Sequence, residues 1–245
     1  MRIDILTIFP DFFSSPLNES IIKRAVESNL VQIRIANIRD FAEDKHKTTD
    51  DTPFGGGGGM VMMVEPLFKS ISSVFENTDK EKIILLAAQG EIFSQKKAKE
   101  LSTLEHLILV CGHYKGVDER IKELFPGEEI SIGDYVLTGG ELPALVILDS
   151  VIRLIPNAVG NRDSLVTDSF FEGILGYPEY TRPYEFMGLK VPEVLISGNH
   201  EKIRLWRRKE ALRRTLNRRP ELLEKISLSD EDKKILEQIK REDVN

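Results

Sequence analysis

Apolar positions run in short blocks along this chain, and their spacing changes from block to block. RIDILTIF, residues 2–9, reads as a buried strand ended by Pro10. In PLNESIIKRAVES, Ile21, Ile22, Ala25 and Val26 fall at helical spacing. Val31, Ile33 and Ile35 then alternate with Gln32 and Arg34, the period of a half-buried strand. KIILLAA (82–88) and HLILVC (106–111) predict two more strands. Between them SQKKAKEL predicts a helix with Ser94 as its N-cap, and VDERIKELF (117–125) predicts another. Strands alternating with helices predict an α/β fold with a mostly parallel sheet.

The stretch ISIGDYVLTGGELP, residues 130–143, breaks that rhythm. It starts as a strand, breaks at Gly133-Asp134, resumes at Tyr135–Leu137 and stops at Thr138-Gly139-Gly140. Repeated glycines beside apolar residues mark tight turning or close approach by another group. ELPALVILDSVIRLIP follows as a helix apolar almost all round, which calls for burial on more than one face, for instance at a subunit interface. NAVGNRDSLVTDS (157–169) is polar and suits a linker. The Pro-, Gly- and Tyr-rich residues 176–199 read as irregular, and residues 200–241 return to helix.

The chain has 245 residues, 41% hydrophobic and 30% charged, the balance of a soluble globular protein with a sizeable core. Its one cysteine, Cys111, excludes an internal disulfide and points to a reducing compartment. Asp4 sits where a secretory signal would be apolar, and no apolar run approaches the ~18 residues of a membrane helix, so a cytoplasmic location and no membrane partner are expected. Charge is uneven. His200–Pro220 holds nine basic residues against Glu201 and Glu210, a net +7, so the rest carries −13 of the total −6. An acidic body with one basic stretch repels polyanions generally and accepts one in a chosen place.

TPFGGGGGMVM lacks the Gly-Lys-Ser/Thr ending of a phosphate loop, and composition favours a flexible loop. Three glycine-bearing turns, LAAQG (86–90), VCGHYKG (110–116) and 130–140, follow three strands, where a parallel sheet opens a ligand crevice. Ordinary strand-to-helix turns explain them equally well. Arg153, four residues after Asp149, reads as an i,i+4 ion pair, and Asp168 as an N-cap. On the basic helix, Arg204, Arg207, Arg208, Arg214 and Arg218 share one side, with Leu205, Leu212 and Leu216 on an adjacent stripe. That face suits phosphate backbone, because so few acids lie near it in the sequence.

LTIFPDFF, DDTPFGGGGGMVM, CGHYKGVDERI, SIGDYVLTGGELPA, DSFFEGILGYPEYTRP and VPEVLISGNHEKIRLWR, taken in order, resemble the bacterial tRNA (guanine-N1)-methyltransferase family over nearly the whole chain. The resemblance implies a trefoil-knotted SPOUT-type α/β domain at residues 1–158. It also implies a linker at 159–170 and a smaller C-terminal helical tRNA-binding domain at 171–245. It implies a cytoplasmic homodimer that transfers a methyl group from S-adenosyl-L-methionine to N1 of guanine at tRNA position 37, 3′ of the anticodon. Carried over residue by residue, it assigns cofactor contact to Leu86, Ala87, Gln89, Gly90, Gly112, Tyr114, Gly116, Ile132, Gly133, Asp134, Tyr135, Val136, Leu137, Gly139, Gly140 and Pro143. Asp168 takes the role of general base and Arg153 that of the cation at guanine O6. With the arginine face, it assigns RNA contact to Asn199, His200, Arg204, Arg207, Arg208 and Arg214. A requirement for Mg2+ is implied too, although no ligand cluster stands out. The sequence departs from the family at Lys115, where a glutamate is usual, and at Ala87-Ala88. A catalytically silent tRNA-binding protein of the same fold is the alternative, with Lys115 in its favour.

Overall fold

A computed structural model describes residues 1–160 and 165–242, and divides the chain into two compact units, Met1–Gly160 and Asn161–Asn245. Four residues of the expected linker, 161–164, lie outside the described residues.

The first unit is built on a five-stranded parallel sheet in the order β2-β1-β6-β5-β7. Its strands are β1 (Arg2–Thr7), β2 (Gln32–Asn37), β5 (Glu81–Ile92), β6 (His106–Cys111) and β7 (Gly127–Ser131), while β3 (Asp50–Asp51) and β4 (Val61–Met62) form a separate antiparallel ribbon. Helices α1 (Ser20–Glu27), α2 (Val64–Ser72), α3 (Gln95–Leu101), α4 (Arg120–Leu124) and α5 (Glu141–Ile152) cover both faces. Burial explains why the central strands read as continuous apolar runs. In β6, Leu107, Leu109 and Cys111 enter one core with α1, α3 and α5, whereas Ile108 and Val110 enter another with α2 and α4. Ile84 and Leu86 of β5 divide from Ile83 and Leu85 in the same way. The edge strand β2 is only half-buried, which is why its sequence alternates. Ser94 caps α3 as its position predicts, its Oγ accepting from Lys97 N at 3.3 Å.

Two expectations change. Tyr135–Leu137 is not a strand: the sheet ends at Ser131, and Val136 stands 90% exposed. An apolar triplet that no neighbouring strand pairs has nothing to hold it extended. The turn expected at 86–90 lies within β5 instead, as a bulge.

The second unit has its own core of Ile174, Ala211, Leu212, Ile235, Leu236 and Ile239. It forms between the helix His200–Arg218 and the last helix, Asp230–Glu242. A short 3-10 segment, Pro220–Lys225, separates them, so residues 200–241 are not one helix. The stretch read as irregular contains a small hairpin, Glu185–Phe186 with Leu189–Lys190, and a helical turn, Glu193–Ile196. Among the described residues no helix is long and apolar enough to cross a membrane.

Candidate active site

At the carboxyl ends of β5, β6 and β7, three loops wall a cleft of about 390 Å³, inside the ~300–1,000 Å³ range of small-molecule sites. The first wall is the bulge in β5. Leu86 and Glu91 both pair with Ile130, so Ala87–Gly90 leave the ladder. Gly90 is required there because a Cβ would lie 2.5 Å from the Glu129 and Ile130 backbone. Residues 112–117 form the second wall and 132–140 the third, and backbone bonds stitch the two together. Gly140 N–H donates to Gly112 O at 2.8 Å, and His113 bridges Gly139. A Cβ on Gly140 would sit 2.7 Å from Cys111 Cα, so only glycine permits this approach.

Tyr114 holds φ +60, a conformation that costs a non-glycine residue about 1–3 kcal/mol. Burial, with the neighbouring Asp50 carboxylate, pushes its phenol above the ordinary range. Beneath the loops, the buried Glu141 accepts from Thr7 Oγ1 at 2.7 Å. Burial, reinforced by Glu141, raises the Cys111 thiol well above its ordinary range and leaves it an inert core group.

Of the residues expected to contact a cofactor, all line this cleft except Gly90 and Asp134. Lys115, marked in the sequence as the departure from the family's usual glutamate, lines it too. The sequence reading did not single out His113, Ser131 or Thr138, which also line it. Their only signal was adjacency to the glycines, since nothing in their own spacing marks them.

Arg153 ends α5, half-buried, with its N–H on Asp149 O at 3.2 Å. Asp168 lies in an exposed turn of the second unit, its N–H on Leu165 O at 3.2 Å. Together with Tyr177, His200 and Arg207 it lines a second cavity of about 330 Å³.

The arginine face is less open than its sequence implies, because acids arrive from elsewhere in the fold. Arg204 is gripped by Glu201 and Glu231, and Arg208 by Asp232 and Glu172. Arg214 donates to Gly176 O at 3.2 Å, while Arg207 stacks over the Tyr177 ring at 5.0 Å. Leu212 is buried, but Leu205 is 37% exposed, so the core stripe is Ala211, Leu212 and Thr215. Asn199 serves as the helix N-cap, accepting from Lys202 N at 3.0 Å, a role worth about 1 kcal/mol.

The Arg208 guanidinium, aided by Ser229 and opposed by burial, holds the Asp232 carboxyl at about 2, below its usual 3.8. Because the folded value is the lower one, the stabilisation is complete above pH 3.8 and fades as pH falls towards 2. The shift corresponds to about 2 kcal/mol at neutral pH. Asp232→Asn is expected to melt earlier than wild type at pH 7, the gap closing between pH 4 and 2. A gap independent of pH would remove the ion pair as its cause.

The doubly covered parallel sheet and the loop-walled cleft at its carboxyl edge define an α/β protein with a ligand-sized pocket at its strand ends. A model of the family described as tRNA (Guanine-1)-methyltransferase TrmD matches residues 1–225. A tRNA (guanine-N(1)-)-methyltransferase of Dictyoglomus turgidum is 57% identical over 242 residues, 99% of this chain and 98% of its own. Relatives of the same name from Geobacillus kaustophilus and Brevibacillus brevis are 54% and 55% identical, each over 99% of both chains. The chain belongs to the tRNA (guanine-N1)-methyltransferase family, a family of enzymes.

Proposed function

We propose that this protein transfers a methyl group from S-adenosyl-L-methionine to N1 of the guanine at tRNA position 37, 3′ of the anticodon. The observation that carries the reading is the cleft between β5, β6 and β7 in a chain of this family. Its size suits a nucleoside with an amino-acid tail. Glycines at 112 and 140 draw the backbone of two walls close together, which fits recognition of an adenine edge by amides and carbonyls. Leu86, Ile132, Leu137 and Pro143 supply apolar surface.

When bound, S-adenosyl-L-methionine supplies a methyl group already activated on a sulfonium. The protein's task is therefore orientation and proton removal. Asp168, exposed on a turn, accepts the N1 proton of the guanine. Arg153 donates to O6, where negative charge develops as N1 reacts. The target base leaves its stack to be reached, at little cost in a flexible anticodon loop. His200, Arg207 and Arg214 are the basic-helix residues of this reading, with Arg204 and Arg208 holding the helix to its neighbours. Among the described residues no three metal-ligating side chains come together, so no step is assigned to Mg2+.

The knot and the homodimer belong to the same reading. The Gly140–Gly112 bond and the His113–Gly139 bridge, which tie residues 132–140 to the loop after β6, support a knotted path. Leu142 at 48% and Val146 at 43% exposure, on a mostly apolar α5, support an apolar subunit contact. Acting on tRNA would place the protein in the cytoplasm. A particle sedimenting at 27.8 kDa would remove the dimer.

The test is transfer of labelled methyl to a tRNA transcript carrying guanine after the anticodon, Mg2+ supplied, with an adenine-substituted transcript as control. Transfer confined to the guanine transcript supports the reading. tRNA binding without transfer would favour the silent RNA-binding alternative.

A further inference from the structure

Lys115 has a setting that the cofactor cleft alone does not explain. Its N–H donates to Met60 O at 3.1 Å, and Met62 N–H donates to Gly116 O at 3.0 Å. These bonds pin the end of the glycine run to the rim of the cleft. The lysine stem then passes under the run: a Cβ on Gly59 would meet its Cε at 3.1 Å, and one on Gly57 would meet Nζ at 3.7 Å. Around Gly55, Gly56 and Gly58 there is open space. Four of the five glycines hold positive φ, a path that other residues take only with strain. Of their N–H groups, that of Gly56 donates to Pro53 O at 3.2 Å, and the other four have no acceptor among the described residues. An ammonium therefore lies beneath a backbone that presents unpaired donors to solvent.

Charge points to what belongs there. Two lysines line the cleft. Lys122 is committed to Glu119 at 2.9 Å and Glu129 at 3.0 Å, whereas no carboxylate pairs with Lys115 among the described residues. Outside the basic helix the chain carries −13. A polyanion entering the cleft meets that unfavourable field and needs a local cation at the rim. An ammonium is a compact point charge suited to a phosphate, and free backbone N–H groups add directed donors to the same ligand.

We propose that Lys115 and the Gly55–Gly59 loop form a phosphate clamp, which grips the sugar–phosphate backbone of the substrate RNA at the mouth of the cleft. This rests on the tRNA-methylating reading of the cleft. The clamp positions the strand and reads no base, so it raises affinity without choosing sequence.

The experiment compares wild type, Lys115→Gln and Lys115→Arg for tRNA binding across a salt series, and for binding of S-adenosyl-L-methionine alone. Lys115→Gln is expected to bind tRNA roughly five-fold more weakly, and its plot of log affinity against log salt to flatten by about 0.7–1, the loss of one phosphate contact. Lys115→Arg restores both, and all three proteins bind S-adenosyl-L-methionine equally. An unchanged slope in Lys115→Gln would reduce the lysine to a prop under the loop and overturn the clamp. Weakened S-adenosyl-L-methionine binding with an unchanged slope would place the ammonium on the cofactor's carboxylate, and overturn it too. Wild type that transfers no methyl but keeps the lysine-dependent slope would sink the methylation reading and leave the clamp standing.

Discussion

Asp168→Asn is expected to lower the rate of methyl transfer by about 10²–10⁴-fold, the span that a positioned general base contributes. The amide keeps the size of the carboxylate and loses the ability to take a proton. The backbone bonds of this turn, Asp168 N–H to Leu165 O and Phe171 N–H to Asp168 O, are open to the amide as well. Binding of S-adenosyl-L-methionine should be kept, since the described residues that line the cleft between β5, β6 and β7 belong to the first unit and Asp168 is not among them. The deciding measurement is the single-turnover rate with cofactor and tRNA both saturating. A loss of less than about ten-fold would exclude Asp168 as the base.

Gly140→Ala should damage the cleft itself. The added methyl would lie 2.7 Å from Cys111 Cα and 3.0 Å from Gly112 N, both backbone atoms of β6 and its loop that no rotamer change can move. Relief requires the two loops to part, which also breaks the Gly140–Gly112 hydrogen bond. Overpacking costs about 1–3 kcal/mol and the lost bond about 1 kcal/mol more. S-adenosyl-L-methionine affinity, measured by calorimetry, should fall at least about ten-fold, together with a lower melting temperature. Gly58→Ala is the control: its Cβ meets nothing within 4 Å and its φ is not positive, so stability should hardly change. Equal behaviour of the two variants would refute the close-approach account of the glycines.

Much of the fold was legible in the residues. Continuous apolar runs at β1, β5 and β6, alternation at β2 and the Ser94 cap identified a parallel sheet, because burial on two faces and cap chemistry leave local marks. Most of the cleft was legible as well, but only through ordered motifs that resemble a family. Glycine turns on their own allowed ordinary connections.

The sequence alone determined which segments could be strands or helices, where the chain had to turn, and that the positive charge gathers at residues 200–220. Tertiary structure decided how those features are used. Glu172, Glu231 and Asp232, remote in sequence, neutralise Arg204 and Arg208 and leave Arg207 stacked on Tyr177. Val136 lost its strand for want of a partner, and Lys115 came to lie beneath a glycine loop more than fifty residues earlier in the chain. The physical reason is common to all three. Secondary structure follows from neighbours along the chain, whereas the environment of a charge or an open edge depends on whichever distant segment packs against it.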